Sequence, residues 1–274
     1  MPWPSRTVAT RDSPVEIPVD GRRIPGTLVA PATAVPGFLF VQGWGSGQEQ
    51  YLARAREIAA LGCVCLTFDL SGHADTLPMQ ETVSRENNLA DVLAAYDLLA
   101  KQRGVDPSSI AVVGSSYGGY LSAILTTKRP VRWLALRVPA LYMDTGWELP
   151  KLQLHQDQDL GAYRRRFVPA ADNRALRACK AFRGDVLLIE SERDDTVPHA
   201  VINSYKEALI RPRSMTYRMI SDADHGLSDA SSQRAYTSIL VSWLNEMILG
   251  ARGGNQGAQA NAPSGLPEAP PRPG

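Results

Sequence analysis

Long hydrophobic runs are missing from this chain, and so is an excess of charge of either sign. No apolar stretch approaches the ~20 residues that cross a bilayer, so no membrane span is expected. Twenty-nine Lys and Arg against 28 Asp and Glu leave a net charge of +1. That balance creates no field for nucleic acid or an anionic membrane surface, and neither partner is expected. Cysteines number three, too few and too odd for a disulfide framework. Cys63 and Cys65 alternate along one apolar run and share a face. With no further ligands in that pattern they read as small core hydrophobes, and no metal site is expected. The opening Met1-Pro-Trp-Pro-Ser-Arg has no apolar h-region. No secretory leader is therefore expected, and the cytoplasm is the expected location. Histidines number four, which narrows any search for a general base.

What the chain does contain is 44% hydrophobic residues over 274 positions, enough to bury a substantial core in one α/β domain. Short alternating runs at 15–20 and 24–30 flank Asp20-Gly21, a hairpin signal. Apolar runs at 37–42, 63–69, 110–114, 131–137, 186–190 and 214–220 read as strands. Helical patterns fall between them at 48–61, 85–101, 172–182 and 199–210, with a last one at 230–249. The stripe Leu89, Val92, Leu93, Tyr96 and Leu99 is the expected inner face of the second helix. Strands alternating with helices imply a mostly parallel sheet covered on both faces. The domain is expected to span 14–249. Residues 140–170 exceed what a simple crossover needs and hold Tyr142, Trp147, Tyr163 and Phe167 among polar residues. Residues 251–274 are rich in Gly, Pro, Ala and Asn and read as a disordered tail.

The most informative stretch is Gly114-Ser115-Ser116-Tyr117-Gly118, set between an apolar strand pattern and a helix pattern. Glycines let a backbone turn where a Cβ would clash. Ser116 would then stand at a helix N-terminus, whose dipole favours developing negative charge. A catalytic serine needs a base, and the base needs an acid to orient it. Asp194 follows the strand pattern at 186–190, and His225 follows the one at 214–220. Ser116, Asp194 and His225 thus each lie just past the C-terminal end of a strand, where open parallel sheets hold their ligands. Asp195 is the main rival to Asp194, and Glu192 a more distant one. Asp222 and Asp224 read as turn formers beside His225. Arg137 ends a strand beneath the long insertion, where it could bind a substrate carboxylate; pairing with a nearby acid such as Asp144 or Glu148 is the expected role. The run Arg164-Arg165-Arg166 reads as a solvated helix face. Gly43-Trp-Gly45-Ser-Gly47-Gln48 has part of a dinucleotide-binding spacing, but Gln48 stands where the last glycine is required, so no nucleotide cofactor is expected.

These residues resemble the α/β-hydrolase superfamily over roughly residues 14–248. The order Ser, Asp, His is that superfamily's order. Phe38-Leu-Phe-Val-Gln42-Gly43-Trp44-Gly45 resembles its oxyanion loop, with Gln42 at the usual histidine position. Phe68-Asp69-Leu-Ser-Gly72-His73 resembles the turn after its fourth strand. Residues 191–198 resemble its Gly-x-x-Asp-x-x-Val-Pro, a register that selects Asp194. The general look is of the small-lid branch around dienelactone hydrolases, feruloyl-type esterases and the catalytic domains of prolyl oligopeptidases. Dienelactone hydrolases use a cysteine nucleophile where this chain has Ser116. The resemblance implies an α/β-hydrolase fold, with a mostly parallel, doubly wound eight-stranded sheet, helices on both faces and a small lid at 140–170. It implies a serine hydrolase, expected to be a carboxylesterase with a small-molecule ester as partner; the alternatives are a thioesterase or small peptidase with the same triad, and a non-catalytic binding protein of the hydrolase fold. Ser116, Asp194 and His225 would be catalytic, and the backbone N–H groups of Trp44 and Tyr117 would form the oxyanion hole. Trp44, Tyr142 and Trp147 are the expected substrate-binding residues, His73 is expected to be structural, and no metal or organic cofactor is needed.

Overall fold

The computed structural model describes residues 10–31 and 36–260. Eight strands form one sheet in the order β1-β2-β4-β3-β5-β6-β7-β8. They are β1 (Thr10–Val19), β2 (Arg22–Pro31), β3 (Gly37–Val41), β4 (Val64–Phe68), β5 (Ile110–Ser115), β6 (Trp133–Arg137), β7 (Asp185–Arg193) and β8 (Ser214–Asp224). Strands β1 and β2 form an antiparallel hairpin, and β2 pairs antiparallel with β4. All other neighbours are parallel. Asp20 and Gly21 turn the hairpin, both at positive φ, as a tight reversal of this hand requires.

The period of two along each central strand divides the core into two layers. Leu39, Val41, Val112, Leu134, Leu136, Val186 and Leu188 face one side, toward α2 (Arg85–Ala100), α3 (Tyr117–Leu125), α6 (Arg174–Ala181) and α7 (His199–Ala208). Phe38, Phe40, Ala111, Val113, Trp133, Ala135, Leu187 and Ile189 face the other, toward α1 (Glu49–Ala59) and α8 (Ala230–Ala260). Cys63 and Cys65 are buried in this second layer, and burial raises the Cys65 pKa well above that of an ordinary thiol. Among the described residues no cluster of His, Cys, Asp or Glu could hold a metal, and no helix is long and apolar enough to cross a membrane.

Helix starts follow their local chemistry. Ser84 Oγ accepts from the Asn87 N–H at 3.1 Å to cap α2, and Asn173 Oδ1 accepts from Ala175 and Leu176 to cap α6. The buried face of α2 is rotated from the expected apolar stripe. Asn88 and Asp91 are fully buried, while Leu89 and Leu93 are half-buried against an outer groove. The cause is a polar network. Asp91 accepts from the Ser71 N–H and hydroxyl and pairs with Arg22 at 3.0 Å. Asn88 donates to Ser71 O and accepts from the Tyr117 hydroxyl. A satisfied network of this kind can hold polar groups in a core where a purely apolar face was expected.

Residues 140–170 contain two short helices, α4 (Lys151–Asp157) and α5 (Leu160–Arg165). Leu160, Tyr163 and Val168 anchor the segment in the first layer, and Leu154 is buried as well. The expected tail begins differently from its composition, because α8 continues ten residues past Gly250 to Ala260. Once a helix is nucleated each added residue gains one backbone hydrogen bond, so it can extend through poor helix formers. Residues 261–274 lie outside the described residues.

Candidate active site

Strands β5, β7 and β8 end immediately before Ser116, Asp194 and His225. The parallel register therefore brings all three to one edge of the sheet. Ser116 adopts φ 51° and ψ −116°, a conformation that L residues rarely take. Two glycines permit it. A Cβ at Gly114 would collide with Gly118 O and Ser122 Oγ, and one at Gly118 would collide with the carbonyl oxygens of Val41 and Gln42. The turn is pinned on both sides, by Ser116 N–H donating to Arg137 O at 2.9 Å and Ala140 N–H donating to Ser116 O at 3.0 Å.

Ser116 Oγ lies 3.0 Å from His225 Nε2, and His225 Nδ1 lies 2.7 Å from Asp194 Oδ2. The second contact assigns the Nδ1 proton to the Asp194 side, which leaves Nε2 free to accept from the serine. Asp194 is held in turn. Its Oδ1 accepts from the backbone N–H groups of Thr196 at 2.9 Å and Val197 at 2.7 Å. Its side chain is 2% exposed, whereas that of His225 is 27% exposed. The rival acids lie elsewhere. Asp195 is exposed, and Glu192 accepts from the Asp222 N–H; Asp224, read as a turn former, accepts from the Ser228 N–H.

The loop after β3 passes beside Ser116, so closely that a Cβ on Gly43 would stand 3.4 Å from Ser116 Cβ. Trp44 follows it. Tyr117 is the first residue of α3, a position whose N–H has no acceptor within its own helix. The loop is fixed by His73, which is buried. The Gly45 N–H donates to His73 Nε2 at 3.0 Å, and Nδ1 faces Leu70 O and Ser71 O at 3.2 and 3.3 Å. The neutral Nδ1–H tautomer satisfies all three. Burial lowers the His73 pKa below the ordinary histidine value, and the nearby Lys151 charge lowers it further. Protonation at Nε2 would displace the Gly45 N–H. The bond's contribution is thus present above about pH 6.5 and is lost as acid titrates the depressed group. His73→Ala is expected to lower kcat/KM about tenfold, on the order of one hydrogen bond. A loss as deep as that of Ser116→Ala would place His73 among the reacting groups.

The Trp44 ring stands edge-on to His73 at 4.6 Å and to Tyr117 at 5.6 Å. Tyr142 packs on Tyr117 and Tyr120 but is 3% exposed, beneath the surface. Trp147 touches the far side of this aromatic chain at Tyr120. It lines a groove outside α2, α3 and α6 with Leu89 and Arg174. Of the three expected substrate contacts, the structure brings Trp44 to the loop beside Ser116 and puts Trp147 on the outer groove.

Sequence reasoning missed the cations around these rings. Lys151 is 1% exposed, with Nζ 4.0, 4.9 and 5.3 Å from the ring centres of Trp44, Tyr117 and Tyr142. Burial lowers its pKa well below the lysine range, and Arg164 and Arg85 add to the effect. Arg85 is fully buried and donates to Met143 O and Thr145 O at 2.6 Å each. Arg164 does not lie on a solvated face as its run suggested. It is buried and donates to Leu141 O and Thr196 O, because α5 turns its first arginine inward. Arg137 also departs from expectation: its Nη2 donates to His225 O at 2.9 Å. Asp144 is taken by Arg174 and Arg177 instead.

A model of the prolyl oligopeptidase family matches residues 80–250. The chain belongs to the prolyl oligopeptidase family. The match takes in all three residues of the serine–histidine–aspartate arrangement. No curated protein sequence matches the chain significantly. Among solved structures, this family member is similar to a dienelactone hydrolase from Anabaena variabilis at 17% identity and TM-score 0.61, over 85% of this chain and 96% of that one. It is similar to the thermostable carboxylesterase EstE1, cloned from a metagenomic library, at 18% identity and TM-score 0.65, over 87% and 89%. Est1E from Butyrivibrio proteoclasticus is similar at 14% identity and TM-score 0.61, over 86% and 97%. At these identities the likeness is one of fold, and the fold is that of the α/β-hydrolases, as the motifs imply.

Proposed function

We propose that this serine hydrolase cleaves carboxylic esters of small soluble substrates through an acyl-enzyme on Ser116. The observation that carries the reading is the relay of 3.0 and 2.7 Å from Ser116 Oγ through His225 to Asp194. His225 Nε2 takes the Ser116 proton as Oγ attacks the ester carbonyl. Asp194 holds the tautomer and stabilises the imidazolium that forms. The N–H groups of Trp44 and Tyr117 receive the developing oxyanion, each donor worth about 3 kcal/mol at such sites. The carbonyl re-forms as the alcohol leaves with the proton from His225. Water then attacks the acyl-enzyme by the same route and restores Ser116.

The size and polarity of the segment 140–170 support a soluble ester over a lipid. Phe167 is its one large hydrophobic side chain exposed among the described residues, so it offers no broad apolar face to an oil surface. The half-buried Trp44 ring gives the acyl group an aromatic wall. On a p-nitrophenyl ester series, kcat/KM is expected to peak at or below about eight acyl carbons, as suits a pocket of modest size. A maximum at about sixteen carbons, or activation on emulsions, would make this a lipase instead.

A peptidase with the same machinery is the second reading, favoured by membership of the prolyl oligopeptidase family. Aminoacyl p-nitroanilides assayed beside the esters separate the two. Higher kcat/KM on the anilides would replace the esterase reading.

A further inference from the structure

A second pocket lies behind the catalytic loop, on the α1 and α8 side of the sheet. The alternation that fills the second core layer changes character at the strand ends. After Ala111 and Val113 the same face of β5 carries Ser115, and after Trp133 and Ala135 that of β6 carries Arg137. Ser115 and Arg137 are register partners. Together with Gln50 and Arg54 of α1 and Gln233 and Tyr236 of α8, they line a cavity of about 350 Å³ that runs under the residues following His225.

The charge of this cavity is one-sided. Among the described residues no aspartate or glutamate lines it. Every acceptor that the structure gives its two guanidiniums is neutral: His225 O for Arg137, and Gln50 O and Thr237 Oγ1 for Arg54. Both stand over the Tyr236 ring, at 5.5 and 4.8 Å. Arg137 is 8% exposed, and its Nη1 is buried with no hydrogen-bond partner among the described residues. A buried cation held only by neutral groups is costly, and a guanidinium fork is shaped for a planar or tetrahedral oxyanion.

We propose that this cavity binds a small oxyanion, a carboxylate or phosphate group, between Arg137 Nη1 and Arg54. Bound there, the anion engages the same guanidinium whose other nitrogen holds the His225 carbonyl. Arg137 is thereby a positioning residue for the base, and the site couples anion binding to turnover. Two sources fit this chemistry: a free anion acting as an effector, or an anionic leaving group of the substrate. The effect on turnover rests on the esterase reading, whereas binding does not.

Inorganic phosphate is the probe, titrated by calorimetry into the full chain, with sodium chloride holding ionic strength constant. Saturable binding is expected, retained in Ser116→Ala and weakened about tenfold in Arg54→Gln, the loss of one charge-assisted contact. Arg137→Lys, which keeps the charge but removes the fork, is expected to weaken it as well. If Arg137→Lys fails to fold, Arg54→Gln still decides the matter. Absence of saturable binding, or binding that Arg54→Gln leaves unchanged, overturns the proposal whatever the enzyme hydrolyses. Turnover distinguishes the sources. For an effector, phosphate changes kcat on p-nitrophenyl acetate saturably, with a midpoint equal to its Kd. For a leaving-group site, 4-acetoxybenzoate shows a lower KM than 4-methylphenyl acetate, and phosphate competes with it. Binding that alters neither substrate's kinetics would overturn the coupling to His225.

Discussion

Ser116→Ala is expected to abolish turnover, by about 10⁶-fold in kcat by comparison with other serine hydrolases that lose their nucleophile, while leaving the protein folded. The side chain's one hydrogen-bond partner among the described residues is His225, through the 3.0 Å contact. Removing Oγ therefore breaks the relay without opening a core cavity. The backbone bonds that pin the turn, to Arg137 O and from Ala140 N–H, do not involve the side chain. Alanine pays the same steric cost as serine at φ 51°, so the melting temperature should move by no more than about 3 °C, the equivalent of roughly 1 kcal/mol in a domain of this size. Ser116→Gly tests the strain separately. Glycine tolerates positive φ, so this variant should be equally inactive but at least as stable as Ser116→Ala. A fluorophosphonate should label the parent chain at Ser116 and neither variant. Labelling at Ser115, or retained turnover in the alanine variant, would remove Ser116 from its proposed role.

The parts of this protein legible in its sequence are those governed by short-range rules. Buried parallel strands bear apolar residues on both faces, so Phe38 to Val41 and Val186 to Ile189 stand out as near-continuous runs. The elbow at Ser116 is legible because a tight strand-to-helix turn demands glycines at Gly114 and Gly118. Both are positions where a Cβ would meet backbone. Residues just after strands fall at one sheet edge by topology alone, which made Asp194 and His225 findable 78 and 109 positions from Ser116.

What was not legible depends on tertiary partners. The rotation of α2 follows from Asp91 meeting Arg22 and Ser71, contacts that span 69 and 20 positions. Arg164 is buried because carbonyls at Leu141 and Thr196 await it, which no pattern in Arg164-Arg165-Arg166 discloses. Lys151 appeared as one polar residue in a mixed segment, and only the fold sets it against Trp44. The reach of α8 to Ala260 is the reverse case, where composition argued for a coil and helix propagation prevailed.

Asp194→Asn against Asp195→Asn is the sharper test of the register. Asp194 Oδ2 receives the His225 Nδ1 proton at 2.7 Å, while Oδ1 already holds two backbone N–H groups, from Thr196 and Val197. Asparagine can keep those two bonds through its carbonyl oxygen. Its amide nitrogen then faces His225 Nδ1, where it donates and so favours the opposite tautomer. Nε2 becomes protonated and can no longer accept from Ser116. The geometry survives but the base is lost, a change that costs about 10⁴-fold in kcat in a serine protease. Asp195 is exposed and outside this relay, so its variant should keep activity within about twofold, as exposed substitutions away from a site do. The pair should melt within a few degrees of the parent chain, which separates a wrong tautomer from a lost fold. Should Asp195→Asn be the inactive one, the acid of the relay is misassigned by one residue. Should both retain turnover, His225 acts without a carboxylate partner, and the 2.7 Å contact serves the loop rather than the reaction.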